Sequence, residues 1–356
     1  MRRRGFIAGA LALGACTGSP PEIRKVKEPL LPHLRISGDA PFETWRSHLD
    51  LGRMRSRPNV LALSGGGEDG AFGAGVLVGW SETGTRPQFD VVTGVSTGAL
   101  MAPFAFLGPQ YDSELRRIYT TYGQDDLIAY RGLGGILSGG LVSSAPMAGL
   151  IERHLPDNVL RQIAAEWRAG RRMFVVTSNI DTGRAMIWDM GAIADEGQYG
   201  LFRAVILASA SIPGLFPPVT LHMAGGIESH VDGAVHMQFL AVPEAAFGNL
   251  GDSPGRGGAL WILVNNMLRP PPAAVSRTPI AIMMNTFNTA VRASAAQSVG
   301  IAERYAERTG MRFAVATIGP DFDVAWDPTE RFSLKYMRPL FEYGRKRALR
   351  GAAWRS

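Results

Sequence analysis

A single cysteine among 356 residues, Cys16, excludes any disulfide within the chain. Stability must therefore come from a packed core rather than from covalent staples. The sequence also has no H-E-x-x-H and no Cys/His cluster, so no metal site is expected. Histidines number only six, and none lies beyond His236. A Ser-His-Asp triad in the usual α/β-hydrolase order takes its histidine late in the chain, after the acid, so that order has no support here. No segment reaches transmembrane length without charge or proline. No internal repeat is present. With 46% apolar and 19% charged residues, the composition is that of a globular chain with a substantial core and argues against disorder.

What is present begins at the N-terminus. Arg2-Arg3-Arg4 precede an apolar stretch from Gly5 to Ala15, too short to span a bilayer but suited to an export signal. It ends in Leu13-Gly14-Ala15-Cys16, which resembles the lipobox of bacterial lipoproteins. Residues 1–15 are accordingly expected to be a signal peptide, through either the general or the twin-arginine route, with Cys16 lipidated. Loss of residues 1–15 removes three arginines and no acids, and the formal net charge falls from +6 to +3. That mild basicity calls for no nucleic-acid partner. The expected location is the bacterial cell envelope, lipid-anchored rather than spanning. Thr17 stands where an aspartate would suggest inner-membrane retention, which favours the outer membrane.

Residues 16–57 read as a lipidated tether and lead-in, and residues 58–350 as the folded domain. Val60-Leu61-Ala62-Leu63 is a short apolar run of strand type, followed by Phe72, Val76, Leu77 and Trp80 at helical spacing. Phe89 to Val92, Met173 to Thr177, Ala185 to Trp188 and Trp261 to Val264 are further strands. Helical patterns occupy 98–107, 146–169, 199–210, 280–309 and 330–349. Strands apolar on both faces and alternating with helices predict a three-layer α/β/α sandwich around a central, mostly parallel sheet. The glycine-rich stretch 123–145 reads either as an apolar loop over a site or as a long surface connection.

Two glycine-bearing turns carry the chemical signal. Gly94-Val95-Ser96-Thr97-Gly98 has the G-x-S-x-G form of a nucleophile elbow, with Gly94 and Gly98 permitting a tight strand-to-helix turn. Some thirty residues earlier, Gly65-Gly66-Gly67-Glu68-Asp69-Gly70 follows a strand and leads into a helix. It lacks the G-K-[ST] ending of a phosphate-binding loop and the G-x-G-x-x-G of a dinucleotide site. Alone it is as much a structural turn as an oxyanion hole. With Ser96 downstream, the N–H groups of Gly65, Gly66 and Gly67 become candidate oxyanion donors. Asp232, in Val231-Asp232-Gly233-Ala234, reads by turn chemistry alone as a plain turn aspartate. His230 and His236 flank it as candidate substrate-side contacts, the other reading being structural or solvated roles.

Together, the glycine loop, the serine elbow and Asp232-Gly233-Ala234 resemble, in this order, the three signatures of patatin-like phospholipases. Ala208 to Pro218 and Asn179 to Gly183 resemble two supporting stretches of the same family, so the resemblance covers about residues 58 to 320. It implies the patatin architecture and a Ser-Asp dyad with no histidine, in which Ser96 is the nucleophile and Asp232 activates it. Such a base requires partial desolvation, because a free aspartate with pKa of about 3.9 accepts protons poorly. One departure stands out. The family's loop often carries arginine or lysine before its last glycine, where this chain has Asp69 preceded by Glu68. The implied activity is hydrolysis of a lipid or acyl ester without a cofactor. An acyltransferase using the same acyl-serine and a non-catalytic, membrane-tethered lipid-binding protein are the alternatives.

Overall fold

The computed structural model describes residues 33–49, 55–130, 141–223, 226–243, 245–246, 257–270, 277–327 and 330–355. The expected signal peptide, Cys16 and residues 131–140 of the glycine-rich stretch lie outside the described residues. The described chain opens with β1 (Arg35–Ser37) and α1 (Phe42–Leu49). It continues through β2 (Asn59–Leu63), α2 (Gly70–Glu82), β3 (Val91–Val95), α3 (Thr97–Leu107), α4 (Asp112–Thr121) and α5 (Gln124–Leu127). Two short strands, β4 (Ala129–Tyr130) and β5 (Val142–Ser143), pair antiparallel with each other. The pattern over 146–169 is two helices, α6 (Ala145–His154) and α7 (Asp157–Arg168). Pro156, with no N–H to donate, separates them. Then come β6 (Arg172–Asn179), β7 (Arg184–Asp189), α8 (Met190–Asp195), α9 (Tyr199–Ser209), β8 (Val219–Met223) and β9 (Gly226–Asp232). The last elements are β10 (Ala259–Val264), α10 (Pro279–Thr309), β11 (Arg312–Thr317) and α11 (Leu334–Leu349).

The main sheet runs β1-β7-β6-β3-β2-β10-β11. Its centre, from β6 to β11, is parallel. β1 and β7 extend it antiparallel, and the β8–β9 hairpin joins antiparallel through β9 to β6. The central strands have no polar face, so helices must cover both sides. Phe72, Phe104, Leu160, Phe202 and Phe341 form the core on one side with α2, α3, α7, α9 and α11. Trp45, Phe174, Ile262, Ala302 and Tyr305 form the core on the other with α1 and α10. The chain is thus the expected α/β sandwich.

Part of the expected tether and lead-in is integral to this fold. β1 pairs with β7 at Ile36 and Ile187, and Phe42, Trp45 and Leu49 of α1 are buried. Arg35 makes a bidentate ion pair with Glu228 of β9, at 2.6 and 2.8 Å. A buried, forked pair of this kind fixes β1 in register with the distant hairpin.

One topological detail prepares the site. β3 ends with Val95 opposite Val176 of β6, while β9 ends with Asp232 opposite Thr177. Because β7 occupies the other edge of β6, β3 and β9 approach from opposite directions along one edge and stop at adjacent positions. Ser96 follows immediately after Val95.

Candidate active site

Ser96 sits at the turn from β3 to α3 with φ 55 and ψ −123. Positive φ is uncommon outside glycine and is kept where the surroundings enforce it. Here the enforcement is close packing: a Cβ on Gly98 would lie 2.4 Å from the Leu63 carbonyl oxygen, and one on Gly94 2.5 Å from that of Gly98. The Ser96 N–H donates to Ser209 Oγ at 3.0 Å, and the Ser209 hydroxyl donates to the Val176 carbonyl at 2.6 Å. The elbow is therefore tied to both neighbouring elements, α9 and β6.

Ser96 Oγ donates to Asp232 Oδ2 at 2.6 Å. The other carboxylate oxygen accepts from the Ala234 N–H at 2.8 Å. Asp232 is held further by its own N–H, which donates to the Ser211 carbonyl at 3.0 Å, and by the Ser178 hydroxyl, which donates to its carbonyl at 2.9 Å. Ser96 and Asp232 are 4% and 2% exposed. Burial pushes the Asp232 carboxyl up to about 7, outweighing the bonds from Ser96 and Ala234. Desolvation of the charged form is the physical reason, and it gives the basicity that a free aspartate lacks.

The glycine loop lies against this pair: a Cβ on Gly65 would be 3.2 Å from Ser96 Cβ. Gly65 itself leaves the expected donor set, because its N–H is spent on the Gln238 carbonyl at 3.0 Å. Its part is close approach. The N–H groups of Gly66 and Gly67 have no acceptor among the described residues and remain as donors. Gly66 has φ 157, and a Cβ there would meet the Asn265 carbonyl oxygen at 2.0 Å. Only glycine fits. Asn265 also holds the base of the loop, donating its N–H to Ser64 Oγ at 2.8 Å and its amide Nδ2 to the Ser64 carbonyl at 2.9 Å.

An apolar pocket with about 720 Å³ of empty space, partly open to solvent, starts at Gly67 and Thr97 and runs past Phe104, Leu127, Met147 and Phe332. Such a lining accepts a hydrocarbon chain and offers it little else. Ser96 and Asp232 are not in the wall of this pocket, but Thr97 and Gly67 bring it next to the elbow and the loop. A second apolar pocket, lined by Phe42, Trp45, Leu240 and Tyr305, lies across the sheet.

Neither His230 nor His236 bonds Ser96 or Asp232 with its side chain. His230 is fully buried beneath Trp188, its Nδ1 2.9 Å from Thr177 Oγ1 and its Nε2 3.1 Å from Glu228 Oε2. Burial alone would raise the Glu228 carboxyl, but Arg35 and His230 outweigh it and hold it down to about 2. His236 is exposed and directs its ring nitrogens at Ser178 Oγ (2.8 Å) and the Gly183 carbonyl (3.0 Å). Buried His230 therefore cannot serve as a substrate-side contact, and His236 already has protein partners at both nitrogens. No metal-binding cluster occurs among the described residues.

Sequence reasoning missed Ser209, Asn265 and Arg331. Ser209 lies in the Ala208–Pro218 stretch, and Asn265 directly follows the β10 run, so position gave some signal for both. Arg331 gave none. Its Nε and Nη2 donate to Glu68 Oε1 and Oε2 at 2.8 and 2.9 Å, across 263 residues.

A serine on an elbow, a buried carboxylate hydrogen-bonded to it and a glycine loop packed against it are the parts that serine acyl transfer requires. The family model for patatin-like phospholipases matches residues 61–243, just over half the chain, and the chain belongs to that family of lipid hydrolases. Among solved structures, VipD from Legionella pneumophila is 12% identical, with 84% of this chain and 67% of that chain covered and a TM-score of 0.37. The type III effector ExoU is also 12% identical, with 84% and 54% covered and a TM-score of 0.29, so the chain spans about half of ExoU. Likenesses this distant bear on neither substrate nor partner. No curated protein matches the chain.

Proposed function

We propose that this protein hydrolyses a carboxylic ester of a phospholipid, lysophospholipid or other acyl lipid through Ser96 and Asp232. The observation that carries the proposal is the 2.6 Å bond from Ser96 Oγ to Asp232, in a site where burial raises the basicity of the carboxylate. In the first half-reaction Ser96 Oγ attacks the acyl carbon while its proton passes to Asp232 Oδ2. The oxygen that becomes negative is received by the Gly66 and Gly67 N–H groups; loss of one such donor typically costs about 10²–10³ in rate. Collapse breaks the ester bond, and the leaving alcohol takes the proton from Asp232. Water then attacks the acyl-Ser96 ester, giving a proton to Asp232; the acyl–Oγ bond breaks, Asp232 returns the proton to Ser96 Oγ, and the fatty acid leaves. The pocket beginning at Gly67 and Thr97 would hold the acyl chain during both steps.

The N-terminal reading belongs to the same proposal: lipidation of Cys16 would hold the enzyme at an envelope membrane, where its substrates are. Hydrolysis of a defined lipid mixture, with products identified by mass, tests the activity. Wild type should release free fatty acid and Ser96→Ala should not; equal release by both would refute it.

A further inference from the structure

The oxyanion loop carries acids close to where negative charge is to develop. Glu68 is 3% exposed and sits one residue after Gly67. An unpaired carboxylate there would oppose the oxyanion, and the less solvent surrounds it the stronger the opposition. Its counter-ion comes from the C-terminal part of the chain, outside the family-matched region. Arg331 grips both Glu68 oxygens, and Trp326 Nε1 donates to Oε1 at 2.6 Å. The guanidinium also reaches the donor segment: a Cβ on Gly67 would lie 3.4 Å from Arg331 Nη2.

Two further observations converge on this segment. Phe332, next to Arg331, has φ 55 and is the only non-glycine residue besides Ser96 with positive φ among the described residues. For a bulky residue this is a true outlier, sustained by surrounding contacts. Phe332 lines the apolar pocket together with Gly67. Tyr336, at the start of α11, donates its hydroxyl to Asp69 Oδ1 at 2.6 Å. The loop is thus held at Glu68 and Asp69 by Trp326, Arg331 and Tyr336.

We propose that Arg331 is a positioning residue for acyl transfer: through Glu68 it fixes the Gly66 and Gly67 donors and cancels the carboxylate charge where the oxyanion forms. The inference rests on the Ser96–Asp232 reading. A forked guanidinium supplies both direction and charge, whereas lysine supplies charge alone.

The test compares wild type, Arg331→Met, Arg331→Lys, Glu68→Gln and the Glu68→Gln/Arg331→Met double variant. The readouts are kcat and KM on p-nitrophenyl butyrate, thermal melting, and deuterium exchange of the peptide spanning residues 64–70. In Arg331→Met, kcat should fall on the order of 10- to 100-fold with KM nearly unchanged, and exchange in the loop should quicken. Arg331→Lys should recover part of the loss. The double variant should exceed Arg331→Met, because the orphaned charge is gone. Wild-type kcat in Arg331→Met, a change in KM alone, or a double variant no better than Arg331→Met would overturn the inference. If wild type releases no product from this ester or from the lipid mixture, the proposed function fails, and exchange still decides the positioning role: unchanged exchange in Arg331→Met rejects it.

Discussion

Ser96 Oγ and Asp232 Oδ2 lie 2.6 Å apart although 136 residues separate them in sequence. The sheet explains the meeting. β3 and β9 run toward each other along one edge of β6 and stop opposite Val176 and Thr177. The strands that carry Ser96 and Asp232 are therefore both held by backbone hydrogen bonds to β6, and the precision of the pair derives from the register of that strand.

Activity should rise with pH through about 7. Asp232 can take the serine proton only when ionised, and burial pushes its carboxyl up to about 7. The kcat/KM profile of the free enzyme reports this ionisation. Asp69, partly buried against Tyr336, is also pushed up to about 7, chiefly by desolvation. The same rise should persist in Asp69→Asn. A midpoint near 4 in wild type, or loss of the rise in Asp69→Asn, would assign the titration elsewhere.

Stability should move the opposite way. A carboxyl raised from 3.8 to about 7 binds its proton more tightly in the folded state. Its favourable contribution is complete below pH 3.8 and is lost as pH rises through 7. Asp232→Asn lacks the group and should be more stable than wild type at pH 8, with the difference shrinking at pH 5. At 1.36 kcal/mol per pH unit, the gap from 3.8 to about 7 caps the gain at about 4 kcal/mol. Urea unfolding at the two pH values measures it.

Ser209→Ala should loosen the elbow. It removes the acceptor of the Ser96 N–H, in a turn where Ser96 is 4% exposed. An orphaned buried donor costs about 1–3 kcal/mol. Urea unfolding should show that loss, and kcat should fall with little change in KM.

Gly66→Ala should disable the loop, because the new Cβ would lie 2.0 Å from the Asn265 carbonyl oxygen. Displacing the donors should lower kcat by about 10². Gly84→Ala provides the contrast. That residue also has positive φ, 71, but a Cβ there meets nothing within 4 Å. It should cost about 1 kcal/mol of stability and leave kcat unchanged.

The parts of the fold legible in the sequence are those whose residues are apolar on both faces. β2, β3, β6, β7 and β10 are such runs, and the glycine loop and Ser96 follow the ends of β2 and β3, whereas Asp232 was legible through its Asp-Gly turn. β9 was not legible because Gly226–Asp232 is rich in polar groups, and Glu228 and His230 are buried only with partners from β1 and β6. β1 was hidden within a polar, proline-rich stretch for the same reason. Gly65 read as a donor because spacing cannot reveal that Gln238 takes its N–H. The pairing of Glu68 with Arg331 is a tertiary fact with no local signature.

Covalent labelling with a fluorophosphonate, followed by peptide mass mapping, tests the Ser96–Asp232 pair most directly. The adduct should form on the peptide containing Ser96, should form at least about 100-fold more slowly in Asp232→Asn, and should be unaffected in His236→Ala. An adduct on another residue, or labelling of Asp232→Asn at the wild-type rate, would contradict the dyad.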